Sequence, residues 1–192
     1  PSPGSFPGGL WQSRSEQDHQ RRSHRGYSSG AGHCLDHGAG GINYPARDIK
    51  DWLVGADILH ISNEVPFMAG CPYPDPSQKG LRFCSDPRYI QLLESIGTDV
   101  VELTGDHFGD YGPEAMLYTL ELYDRESWPY YGGGADKQDA QRPVLLEHNG
   151  NKIAFLGCNA KGGGYATAGN DYPGAVACDF EKMTAQIRDL RA

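Results

Sequence analysis

The stretch Asp99-Val100-Val101-Glu102-Leu103-Thr104-Gly105-Asp106-His107-Phe108-Gly109-Asp110-Tyr111-Gly112-Pro113 runs from an apolar segment, through a cluster of ionisable groups, into a proline. Val100, Val101 and Leu103 read as a buried strand, and Pro113 suits the first turn of a helix. The helix it opens carries Met116, Leu117, Leu120 and Tyr123 on one side. A strand that ends in a polar turn and then a helix is the repeating unit of open α/β sheets, where active sites lie beyond the carboxyl ends of the strands. Here Asp106, His107 and Asp110 emerge at that place, with glycines at 105, 109 and 112 expected to let the backbone turn sharply. Carboxylate oxygen and imidazole nitrogen together are ligands for divalent transition metals, and the imidazole can also act as an acid. The same carboxylates would equally serve to cap the loop and the helix.

Upstream, Asp48–Leu53 reads as a short helix and Ala56–Ser62 as a buried strand that runs into Asn63-Glu64. Glu64 could ligate a metal or act as a base, while Asn63 and Glu64 could instead bond the neighbouring backbone in a turn. Both motifs would share one edge if the two strands were parallel neighbours. Ser85 is expected to cap a helix with Pro87 in its first turn, Ile90, Leu92, Leu93 and Ile96 in its body, and Gly97 as its stop. Downstream, Trp128–Tyr131 is extended. Val144–Glu147 and Lys152–Leu156 flank His148-Asn149-Gly150-Asn151, a strong hairpin signal. His60 and His148 read as strand and hairpin residues. Val176, Phe180, Met183, Ile187 and Leu190 mark a final one-faced helix. Alternating strands and helices followed by a hairpin give an α/β fold with a mixed sheet.

Composition sets the limits. The 192 residues suit one domain, with 38% hydrophobic and 22% charged side chains. Seventeen basic against twenty-five acidic side chains leave a net charge of −8, which argues against nonspecific nucleic-acid binding. No apolar run approaches the roughly 18 residues of a membrane span. The first 41 residues hold nine Gly, seven Ser, four Arg and four His, with few and aperiodic apolar residues. Such a segment is expected to be disordered. An out-of-frame origin is a second reading of 1–41, since a one-base shift of a back-translation of Gly32–His37 gives Val-Thr-Ala-Leu-Thr, a good buried strand. A start at Pro1 and an end at Ala192 inside a helical pattern suggest a piece of a longer chain.

Five cysteines leave one odd. Cys71 and Cys84 bracket a Pro-rich loop, and Cys158 and Cys178 bracket a Gly-rich one; both loops are too polar to be ordered by packing alone. Disulfides Cys71–Cys84 and Cys158–Cys178, with Cys34 unpaired, are the expected pattern and would fit an exported protein. A reduced protein with buried thiols is the alternative. Gly132-Gly133-Gly134 and Gly162-Gly163-Gly164 match no phosphate-loop pattern and read as loops. His33-Cys34-x-x-His37 lacks a second half at zinc-finger spacing.

Taken in order, Ala56-Asp57-Ile58, Asn63-Glu64-Val65-Pro66-Phe67, Ile96-Gly97-Thr98-Asp99-Val100-Val101-Glu102-Leu103, Gly105-Asp106-His107 and Asp110-Tyr111-Gly112 resemble the CapA family of poly-γ-glutamate capsule synthesis proteins. Thr119-Leu120, Gly132-Gly133-Gly134, Ala140, Pro143 and Asn149-Gly150-Asn151-Lys152-Ile153-Ala154-Phe155-Leu156-Gly157 continue the resemblance, which covers residues 42–192. It implies a calcineurin-like metallophosphoesterase fold, an αββα sandwich incomplete here at both ends, and a bacterial cell-surface or extracellular location. It implies a metal-dependent hydrolase with manganese, iron or zinc. Glu64 and Asp106 would fall at metal positions and His107 at that of the catalytic acid, with Asn63 and Asp110 in support. The family usually has Asn-His where this chain has Asp106-His107, so this chain carries one more negative charge there. The implied substrate is poly-γ-glutamate or a phosphoester, and the implied partners are the capsule synthesis machinery. The competing expectation is a non-catalytic surface protein that binds an anionic polymer or an assembly partner. A third is an inert fragment.

Overall fold

Val100, Val101 and Leu103 are completely buried, and the strand they define lies in the middle of a three-stranded parallel sheet. The computed structural model describes residues 40–73, 75, 77–161, 164 and 166–191. Cys34, the His33–His37 pattern and most of the 1–41 segment lie outside these residues, as do Gly162 and Gly163. The sheet consists of β1 (His60–Ser62), β2 (Val100–Glu102) and β3 (Tyr130–Tyr131), in that order. Two antiparallel pairs complete the strands: β4 (Gly133–Gly134) with β7 (Gly174–Ala175), and β5 (Val144–His148) with β6 (Asn151–Phe155). Five helices are described: α1 (Lys50–Val54), α2 (Ile90–Ser95), α3 (Gly112–Glu126), α4 (Lys137–Ala140) and α5 (Phe180–Arg191). The class is α/β. Among the described residues, parallel and antiparallel strands fall in separate sheets, where the sequence pattern predicts a mixed sheet.

The two-residue period of β2 divides the interior. Val101 and Leu103 face one side with Tyr130, against Met116, Leu120 and Tyr123 of α3, and Phe67, Phe108 and Trp128 close this cluster. Val100 faces the other side with Tyr131, against Val144, Leu146 and Phe155 of the β5–β6 hairpin. A helix thus covers one face of the sheet and a hairpin the other. The hairpin turns on Asn149 and Gly150, both with positive φ (50° and 75°), the backbone that a two-residue turn of this hand requires.

Several elements differ from the sequence reading, each for a local reason. The strand expected over Ala56–Ser62 is regular only from His60, and the one expected over Asp99–Leu103 is regular from Val100 to Glu102, although the Asp99 and Leu103 N–H groups still donate to Leu59 and Tyr131. The helix expected over Asp48–Leu53 runs from Lys50 to Val54. Ser85 does not cap the next helix. Its backbone is bonded instead to Pro66 and Met68, and Asp86 caps a 3-10 turn, Pro87–Tyr89, that leads into α2. Gly132–Gly134 is not a free loop: Gly133 and Gly134 are buried as β4, and a side chain at 133 would collide with Leu103. Val176 lies before α5, where its N–H donates to the Gly132 carbonyl. None of the described helices is long and apolar enough to cross a membrane.

Candidate functional site

Because β1 and β2 are parallel, with His60 opposite Val100 and Ser62 opposite Glu102, the chain leaves both strands at the same edge. The Asn63 N–H donates to the Glu102 carbonyl and extends the ladder one residue further. Gly105 then lies directly against Glu64. A Cβ at 105 would sit 2.3 Å from Glu64 Cγ and 2.8 Å from Glu64 Cα. Gly105 has an ordinary negative φ of −64°, so it serves this close approach and not the sharp turn expected of it. Gly105→Ala is expected to destabilise the fold by about 1–3 kcal/mol, the usual cost of overpacking, because the nearest backbone atom cannot move aside as a side chain would. Thermal unfolding checks it; an unchanged midpoint would mean that the two exits are not in tight contact.

Asp106–Gly109 forms a 3-10 turn, with Phe108 buried beneath it. His107 Nδ1 lies 2.8 Å from Asp110 Oδ2, and the Phe83 N–H donates to the same oxygen at 2.6 Å. The Asp110 side chain is fully buried and His107 is 14% exposed. A carboxylate oxygen accepts, so in this pair Nδ1 carries the proton and Nε2 is the nitrogen left for other partners. Asp110 does not cap α3, whose N-terminus has no side-chain cap. Arg82 adds a clamp: its guanidinium donates twice to the Asp110 carbonyl, at 2.8 and 3.2 Å, and lies 4.6 Å from the centre of the Tyr111 ring. The Phe83 ring meets the imidazole edge-on at 4.7 Å.

Asp106 is held differently. Its Oδ2 accepts from Lys161 Nζ at 2.5 Å. The Lys161 hydrogen bond, above all, keeps the Asp106 carboxyl below the usual carboxylate range. Lys161 follows Asn159, a buried residue whose Oδ1 accepts from the Lys161 N–H and whose own N–H donates to Val176. Cys158 is disulfide-bonded to Cys178 beside this segment, and Cys71 is bonded to Cys84 at the end of the loop that presents Arg82 and Phe83. In the chain-entropy picture, closing loops of this size is worth about 3 kcal/mol each. Two disulfide-closed loops therefore reach the same short turn.

The other proposed residues separate by role. Asn63 Nδ2 donates to the Val65 carbonyl at 2.8 Å and to the Tyr123 hydroxyl at 2.5 Å, so it fixes the exit of β1 to α3. Burial pushes the Tyr123 phenol up in pKa, partly opposed by that bond. Glu64 is exposed at the edge. His60 stacks on Phe155 and contacts the Tyr131 hydroxyl at 2.8 Å, on the hairpin side. His148 ends β5, 3.4 Å from Asp57. Among the described residues, no three His, Cys, Asp or Glu side chains converge to hold a metal ion. A recess of about 320 Å³ lies elsewhere, between α5, Ala140–Arg142 and Leu156–Cys158. Lys161, Arg82 and Phe83 are the contributors that sequence reasoning missed. Each comes from a loop without periodicity, and only the flanking cysteines hint that those loops are ordered.

An α/β chain with a turn of ionisable side chains at the edge of a parallel sheet is thus the frame. The chain belongs to the family described as bacterial capsule synthesis protein PGA_cap, which it matches over residues 11–192, beginning upstream of Ile42. It is 22% identical over 148 residues to the capsule biosynthesis protein CapA of Bacillus anthracis, covering 77% of this chain and 36% of that protein. It is 24% identical over 149 residues to the PGA biosynthesis protein CapA of Bacillus subtilis (strain 168), covering 77% of this chain and 37% of the relative. The chain spans little more than a third of the length of these curated relatives.

Proposed function

We propose that this chain acts in poly-γ-glutamate capsule biosynthesis at the bacterial cell surface, as part of a metal-dependent hydrolase of the metallophosphoesterase type. The observation that carries this reading is the His107–Asp110 pair, set on a short turn beside Asp106 and Glu64 at the carboxyl end of two parallel strands. A sheet with a helix on one face and a hairpin on the other suits the α and β layers of a metallophosphoesterase sandwich. The two disulfides suit an oxidising compartment outside the cytosol.

Glu64 and Asp106 would hold the divalent cation, manganese, iron or zinc. The donor set suits it: both are carboxylates, and Asp106 already carries a cation, the Lys161 ammonium. Such a cation, when bound, supplies a hydroxide nucleophile at neutral pH. Asp110 fixes the His107 ring through Nδ1, which leaves Nε2 to face a departing oxygen or nitrogen and give it a proton. The Phe83 ring and Asp110 keep this imidazole 14% exposed, and so limit water around the proton being moved.

The test uses the whole protein with manganese, and follows the shortening of poly-γ-glutamate in parallel with hydrolysis of bis(p-nitrophenyl) phosphate. Turnover of either one is expected, reduced about 10²–10⁴-fold in His107→Ala, the usual worth of a positioned acid. No turnover of either substrate, or a His107→Ala variant as active as the wild type, would overturn the reading.

A further inference from the structure

Lys161 stands out because nothing in the proposed chemistry requires it, yet its ammonium rests on the carboxylate that the chemistry needs most. It reaches Asp106 from 55 residues away in sequence, with Nζ 2.5 Å from Oδ2. The backbone that presents it is well fixed. Asn159 is buried and bonded to Val176, Cys178 and the Lys161 N–H, and Cys158 is tied to Cys178. The side chain is not: 72% of it is exposed, against 28% of Asp106. A side chain this exposed can swing its ammonium off Asp106 by rotations of its own methylenes without any change in the backbone.

Charge completes the argument. An ion pair open to solvent is weak, because water competes for both partners. A divalent cation brings twice the charge to the same oxygen, and its approach is opposed by an ammonium at hydrogen-bond distance from that oxygen. Each therefore weakens the hold of the other on that carboxylate. We propose that Lys161 is a built-in counter-cation that occupies Asp106 until a divalent cation displaces it, so that Lys161 sets the cation affinity of this edge. The inference rests on the reading in which Asp106 is a cation ligand. It goes further by naming the residue that competes there.

Binding, not turnover, is the test. Free Mn²⁺ is followed by electron paramagnetic resonance as the whole protein is titrated, for the wild type, Lys161→Met, Lys161→Gln and Asp106→Asn, each checked for an unchanged circular dichroism spectrum. Lys161→Met and Lys161→Gln are each expected to bind Mn²⁺ about fivefold more tightly than the wild type, the equivalent of one surface ion pair. Asp106→Asn combined with Lys161→Met should remove that gain. In the wild type, Mn²⁺ should raise the rate at which acetic anhydride labels Lys161, read by mass spectrometry, because linkage is reciprocal. Equal or weaker binding by both lysine variants would overturn the proposal, as would the absence of Mn²⁺ binding from every variant, or a gain that survives Asp106→Asn. His107→Ala separates this from the hydrolase reading. It should lower turnover about 10²–10⁴-fold while leaving the lysine effect on binding intact. An inactive wild type that still shows the lysine effect would sink the hydrolase and spare the counter-cation.

Discussion

Phe108→Ala is expected to lower the stability of the protein by about 3–5 kcal/mol, the range for deleting a buried aromatic ring. Phe108 is completely buried and belongs to the cluster formed by Val101, Leu103, Met116, Leu120 and Tyr123. It is also the third residue of the Asp106–Gly109 turn, directly after His107. The ring therefore pins the turn to the helix side of the sheet, and its loss leaves a cavity under the one segment that gathers the ionisable groups. Urea denaturation followed by tryptophan fluorescence measures the effect. A loss under about 1 kcal/mol would mean that the turn is held by its polar contacts alone. Phe108→Leu, which refills most of the volume, should recover much of the loss.

Asp110→Ala is expected to act on stability and on chemistry together. One buried oxygen, Oδ2, takes both the Phe83 N–H and His107 Nδ1. Truncation leaves two donors short of their acceptor, at about 1–3 kcal/mol for each one that water cannot reach. It also frees the imidazole to rotate. On the hydrolase reading, turnover should fall by at least about a hundredfold, with a smaller change in substrate affinity, since the group lost touches His107 and not the substrate. Asp110→Asn discriminates between the two effects. An amide oxygen can still accept from both donors, so stability should be largely kept, but it lacks the negative charge that the carboxylate sets beside the ring, so turnover should stay low. If Asp110→Asn were as active as the wild type, the carboxylate would be structural only.

The parts of this molecule legible in the sequence are those whose pattern repeats. Val100, Val101 and Leu103 announce a strand, and Met116, Leu120 and Tyr123 announce the helix that covers it. Asn149-Gly150 announces the hairpin. Where side chains carry no period the reading fails: Gly133 and Gly134 form a strand where Leu103 leaves no room for a side chain at 133, and Asp139 and Ala140 leave none at 134, a constraint visible only in three dimensions. Ser85 looked like a cap because serine is a good one, but the Phe67–Ser85 bridge claims its backbone and Asp86 takes the role. At the candidate site, Asp110 is within reach of His107 by spacing alone, three residues on. Lys161 and Phe83 are not, because loops 55 and 27 residues distant deliver them.

The two disulfide-closed loops have one more physical consequence. One brings Arg82 and Phe83 to the 3-10 turn, and the other brings Lys161 to the same turn. A binding surface made of open loops must order them each time a ligand arrives, and that ordering subtracts from affinity. Here much of the disorder is removed beforehand, when the sulfurs join, and the removal is permanent under oxidising conditions. On the cation-binding reading, a ligand would meet this turn with its flanks already preorganised, and association would cost little more than the release of one lysine head group and the water around it.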